Sequence, residues 1–270
     1  MVYEIGPMYV VQIVTDNGSN YKKACRMVTK DYSRIVWQPC VAHTINLMLK
    51  QIGEFPEHEA VISSARSISR WLYNHSKLHA MMKAAIGGEL VKWNATRFGT
   101  NYLFLESFLR RKEKFMQWMG SPELQRSKYV TTEIGRYAHG CLSGLTWWQN
   151  LQTVVDSVQP LYGFLRFADQ DKFPILSEVL LRYNILRHEY QSLFQNDEAS
   201  YKQYMSVIDR RMRDVSDGTY MNAGNTLVAL AFHLLHMFFE LMFETLTCSG
   251  RIESPHALRI RHWTKFISRS

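Results

Sequence analysis

Residues 10–16, VVQIVTD, constrain this chain more than any other stretch, because an apolar, β-branched run that ends in a carboxylate is followed at once by helical spacing in NGSNYKKACRMV. A strand that delivers an Asp at its C-terminal end, just before a helix begins, is where an open α/β sheet presents metal-binding or catalytic carboxylates. Asp16 is therefore the first candidate site residue. A second reading stays open at this point, since Asp16-Asn17-Gly18-Ser19 is also ordinary turn and helix-capping chemistry.

A second strand–helix unit follows. Ser33 to Trp37 reads as a short strand, and residues 39–49, PCVAHTINLML, as a helix that puts Cys40 and His43 one turn apart. Together, VVQIVTDNGSNYKKACRMV and WQPCVAHTINLMLKQIG resemble the hAT transposase superfamily, in the branch whose members are often single-copy, host-adopted genes. The resemblance continues through YNHSKLHAMMK and residues 96–103, fades after Asp209-Arg210-Arg211-Met212, and leaves a weak echo at residues 220–224.

That resemblance implies an RNase H-like core in which three acids hold two divalent ions for DNA strand cleavage and transfer. Hard Mg2+ or Mn2+ needs such clustered oxygen ligands. Asp16 matches the second acid. The family's first acid lies on an earlier strand and its third in a helix with a Ser-Ala-Glu-Arg-like string, and neither has a counterpart here, so the chain reads as truncated at both ends. The resemblance thus implies an inactive remnant, with Asp16 a weak Mg2+ or Mn2+ ligand and no other cofactor. The alternative is an active divalent-metal-dependent transposase or nuclease, completed by a partner chain or missing exons. In the family the Cys-x-x-His pair belongs to the core beside the active site, which implies packing and hydrogen-bonding roles for Cys40 and His43. A zinc site would need four ligands, and no second pair has suitable spacing.

The family usually carries Thr-Arg-Trp where this chain has Thr96-Arg97-Phe98, so Phe98 stands where an aromatic handles the DNA end; Met212 stands where a Trp is common. Phe can stack on a base but lacks the indole donor. Arg97 and Phe98 are candidate DNA contacts, as are Arg110, Arg111, Lys112 and Lys114, whose first reading is a solvated face of an amphipathic helix beside Phe108, Phe115 and Trp118. The net charge of +8 invites a nucleic-acid partner, but Arg251, Arg259, Arg261, Lys265 and Arg269 against Glu253 place half of it in residues 251–270.

Beyond Ile52 the spacing is helical throughout, as in Val61, Ala65, Ile68 and Leu72, with Pro160 and Pro174 read as breaks or first turns. The expected fold is mainly α with a small α/β part: a partial RNase H-like core over residues 1–52, an all-helical insertion over 53–225, and a divergent apolar helix with a basic tail over 226–270. Along residues 227–243, LVALAFHLLHMFFELMF, and the Glu244 that follows, a narrow stripe of His233, His236, Glu240 and Glu244 favours a helix buried on three sides over a membrane span. Four widely spaced cysteines without a CxxC pair read as reduced intracellular thiols. DNA, a related transposase-like protein or a second copy of the chain are the expected partners, without a membrane, and the nucleus is the expected location.

Overall fold

The computed structural model describes residues 2–10, 12–94, 98–170 and 178–216. A short helix α1 (Val2–Ile5) and a single 3-10 turn, Pro7–Tyr9, lead into strand β1 (Gln12–Thr15). Helix α2 (Ser19–Asp31) then carries the chain back to strand β2 (Val36–Pro39), which pairs with β1 in parallel, Gln12 opposite Val36 and Thr15 opposite Pro39. Parallel strands need such a crossover, and the apolar-run-then-helix pattern encodes it. The observed β2 lies later than the Ser33–Trp37 reading, because Ile35 to Gln38 carry the apolar and β-tolerant side chains while Ser33 and Arg34 form a turn.

Among the described residues the sheet has two strands. β1 is consequently half-buried along its whole length, whereas β2 buries Trp37, Gln38 and Pro39. The β-branched run of β1 would suit a strand flanked on both sides. Pro39 has no N–H for the ladder, and the amide of Cys40 takes over, donating to the Thr15 carbonyl at 2.7 Å.

Helix α3 (Val41–Gly53) follows directly, then α4 (Pro56–Tyr73), α5 (Ser76–Ile86), α6 (Phe98–Leu109), α7 (Lys112–Met119), α8 (Pro122–Gln125), α9 (Glu133–Ser143), α10 (Leu145–Ala168), α11 (Val179–Leu193) and α12 (Glu198–Ser216). The chain is mainly α with a small parallel α/β part, as its spacing implies. Its described residues divide into two compact units, one within 1–45, 164–191 and 197–216, the other within 46–163 and 192–196.

The second unit is a helical body whose core joins α4 to α10. Val61, Ala65, Ile68 and Leu72 are all buried, as their period requires. Their face meets Phe104, Phe108, Phe115 and Trp148, each fully buried. Trp147 is half-buried beside Trp148 and donates its indole N–H to Ser64 Oγ at 2.8 Å. Helix ends follow local chemistry. Gly87, at φ 72°, closes α5 in the left-handed conformation, and the amides of Gly87 and Gly88 both return to the Lys83 carbonyl. The Gly87-Gly88 pair is thus a helix stop.

Two readings of the spacing change. Residues 110–114 do not lie on one helix: α6 stops at Leu109 and α7 begins at Lys112, with no Pro or Gly to announce the break. Pro160 breaks nothing, since α10 runs through it. The missing N–H costs the helix one bond to the Asp156 carbonyl. Burial of Pro160 itself and of Leu151, Val154, Val155 and Leu161 around it offsets that loss.

Two glycines in α9 give opposite expectations. A Cβ on Gly135 would lie 1.9 Å from the Tyr129 carbonyl oxygen and 2.8 Å from Thr132 Oγ1, the capping oxygen that accepts the Gly135 amide. Gly140 has nothing within 4 Å of that position. Gly135→Ala is expected to destabilise the protein by about 2 kcal/mol or more, and Gly140→Ala to stabilise it by roughly 0.5–1 kcal/mol through helix propensity. Urea unfolding midpoints that move in the same direction for both would refute this.

In the first unit, α11 and α12 are joined by Tyr190 stacked on Tyr204, with centroids 5.4 Å apart, and by Asp209, which accepts from the Tyr183 hydroxyl and from Arg187 Nη2. Met212 is buried on α12. Among the described residues no helix is long and apolar enough to cross a membrane. Residues 227–243, the echo at 220–224, Pro174 and the basic tail lie outside the described residues.

Candidate functional site

The C-terminal ends of β1 and β2 lie side by side and release the chain into α2 and α3. Asp16 therefore stands immediately after β1, and Cys40 immediately after β2. The helix-capping reading of Asp16 is not what forms: the N-cap of α2 is Gly18, and no side chain caps it. The Asp16 carboxylate instead faces His43 on the first turn of α3, Oδ1 to Nδ1 3.9 Å, with the Asp side chain 62% and the His 39% exposed.

A set of short polar contacts fixes this end of the sheet. Asn17 Nδ2 donates to Thr44 Oγ1 at 2.8 Å, and Thr44 Oγ1 donates to the Cys40 carbonyl at 2.9 Å. The two strand ends are thereby tied together through side chains. Below them, Trp37 Nε1 donates to Thr15 Oγ1 at 2.9 Å, and the Cys25 sulfur lies 4.0 Å from the same oxygen. Burial pushes the Cys25 thiol above its ordinary value, partly offset by Thr15, so it is a packed thiol rather than a nucleophile. Asn17 and Thr44 were not singled out from the sequence, although Thr44 is four residues beyond Cys40, the spacing of side-chain return to a helical carbonyl.

The donor set can be compared with a two-metal centre. Asp16 offers a carboxylate, His43 a ring nitrogen, and Asn17 a buried carbonyl oxygen without a hydrogen-bond partner among the described residues. Two hard cations need several oxygen ligands and charge balance from more than one carboxylate. Among the described residues, no three His, Cys, Asp or Glu side chains converge in a way that could hold a metal. This set does not fit a pair of divalent ions.

The other candidate residues belong to the helical unit. Arg97 lies outside the described residues. Phe98 opens α6 half-buried, with Lys50 Nζ 6.0 Å from its ring centroid. Arg110 is bound to Glu106 at 2.9 Å, which raises its pKa above the ordinary value. Arg111 Nη1 donates to the Ser107 carbonyl at 3.2 Å and Lys114 Nζ to the Ile86 carbonyl at 3.4 Å, each near a helix end. These two cations act as C-terminal caps. Lys112, the first residue of α7, is half-buried.

Residues 1–68, which hold β1, α2, β2, α3 and most of α4, match the family described as a domain of unknown function (DUF659). That is 68 of the chain's 270 residues. No curated protein and no solved structure matches the chain.

Proposed function

We propose that this chain is a transposase-derived protein of the hAT type that binds DNA, or a related transposase-like protein, in the nucleus, and that it does not cut DNA by itself. The match over residues 1–68 supports the origin, because that family is associated with hAT-type transposase-like proteins. The observation that carries the reading is Asp16 at the end of a parallel strand, facing His43 and spent on no helix cap. In the RNase H-like core that the resemblance implies, a catalytic acid stands at such a strand end, and here no three His, Cys, Asp or Glu side chains converge among the described residues. Strand cleavage requires acids from several elements to meet on the ions, and a single Asp cannot fix two metals or balance their charge.

The test uses the purified chain with supercoiled plasmid and Mg2+ or Mn2+, beside Asp16→Asn. Retention of DNA with no nicking by either protein is expected. A Mn2+ titration should show weak binding only, abolished in Asp16→Ala. Divalent-dependent nicking that is lost in Asp16→Asn would make the chain an enzyme. Failure to retain duplex or single-stranded DNA would remove the DNA partner.

A further inference from the structure

Helix α2 carries Lys22, Lys23, Arg26 and Lys30. At about 100° per residue these four fall within roughly 100° of arc, one continuous face of the helix. Lys23, Arg26 and Lys30 are exposed and Lys22 is half-buried, and with Ser19 and Met27 they line one open concavity. The one acidic residue of α2, Asp31, is the last of the helix and lies about 80° round it from Lys23, about 100° from Lys30 and half a revolution from Lys22. Lys22, Lys23 and Lys30 form no ion pair among the described residues.

We propose that this face of α2 is a nucleic-acid-binding surface that holds the phosphate backbone. The proposal rests on the DNA-binding reading above and locates that binding away from residues 110–114. In that cluster Arg110 is neutralised by Glu106, and Arg111 and Lys114 cap helix ends. From Lys22 to Lys30 the helix rises about 12 Å, long enough for the stripe to reach two to three successive phosphates of one strand. A membrane surface fits less well. A helix that lies on a bilayer must insert an apolar face, and the far side of α2 is already packed, with Cys25 buried 4.0 Å from Thr15 of β1. Point charges on flexible stems read phosphates and no base sequence, so binding is indifferent to sequence and steep in salt.

The experiment measures fluorescence anisotropy of a labelled duplex of arbitrary sequence with the full chain across a salt series. The comparisons are a Lys23→Gln, Arg26→Gln, Lys30→Gln triple variant and an Arg110→Gln, Lys112→Gln control. Gln is a good helix former and the three α2 positions are exposed, so an unchanged unfolding midpoint verifies folding. The triple variant is expected to lose at least tenfold in affinity near 0.1 M salt, and its log–log salt slope to flatten by about 1.8 through Lys23 and Lys30, while the control stays near the parent. A triple variant that binds as the parent does would overturn the α2 surface and leave the DNA reading standing. Absence of duplex binding by the parent chain would overturn both. Phosphatidylserine vesicles or polyglutamate bound as tightly as the duplex, with the same loss in the triple variant, would also overturn the proposal, replacing the nucleic acid with a lipid or an acidic chain.

Discussion

Phe108→Ala is expected to lower the unfolding free energy of the helical unit by about 4 kcal/mol and its melting temperature by roughly 10 °C or more. Phe108 is fully buried on α6 and meets three other rings: Phe104 edge-on at 5.4 Å, Phe115 stacked at 5.6 Å and Trp147 edge-on at 5.8 Å. Removing it deletes the transfer free energy of one ring and leaves a cavity that those neighbours, on helices α6, α7 and α10, cannot all move to fill. Its loss is felt across the α6–α7 break, which has no covalent or glycine-based device to define it. Leu145→Ala is the control, since Leu145 is 61% exposed at the start of α10. Thermal melts followed at a helical wavelength should show a shift for Phe108→Ala and almost none for Leu145→Ala. Equal shifts would mean that the aromatic cluster is not the core.

Stability is also expected to fall by roughly 2–3 kcal/mol between pH 6.5 and 4.5 because of His58 alone. His58 is 1% exposed at the first turn of α4, and its Nε2 lies 3.3 Å from Ser157 Oγ on α10. The Ser157 hydroxyl gives its one proton to the Val154 carbonyl at 2.9 Å, which leaves its oxygen to accept from the His58 Nε2–H. Burial pushes the His58 pKa down to about 4, against a smaller opposite pull from the Glu57 carboxylate. The unfolded chain therefore binds this proton from about pH 6.5 downward while the folded chain refuses it until about pH 4. Stability is full above the unfolded value and is lost as pH falls through that window. Urea unfolding at steps of pH should give a free energy for the parent that declines across the window. In His58→Gln the decline should be absent, and an unchanged decline would assign it to other groups.

Much of the fold was legible because its signals are local. The strand–helix alternation of the first fifty residues, the buried stripe of α4 and the glycine stop after α5 all follow from spacing and backbone chemistry within a few residues. What was not legible depends on distant partners. His58 and Ser157 are polar residues on separate helices, and neither reveals that it will be buried against the other. Arg110 to Lys114 read as one helical face because nothing in their identity marks the break, and Arg111 and Lys114 acquire their roles only when the Ser107 and Ile86 carbonyls arrive. Pro160 misled for the same reason, since the side chains that hold α10 intact come from its surroundings. At the candidate site, Asp16, Cys40 and His43 were identifiable by motif and spacing. Their tie through Asn17 and Thr44 required the two strand ends to be adjacent.

The parallel pairing of β1 and β2 also sets an order of events. No ladder bond between these strands can form until the intervening chain, α2 included, has closed into a loop, so ordering is spent before pairing repays it. A neighbouring pair such as α4 and α5 meets across a two-residue turn and needs no such wait. In pulsed hydrogen exchange during refolding, amides of α4 and α5 should gain protection ahead of those in β1 and β2. The Asp16–His43 juxtaposition would then be among the last features of its unit to exist, and among the first to dissolve when the strands part.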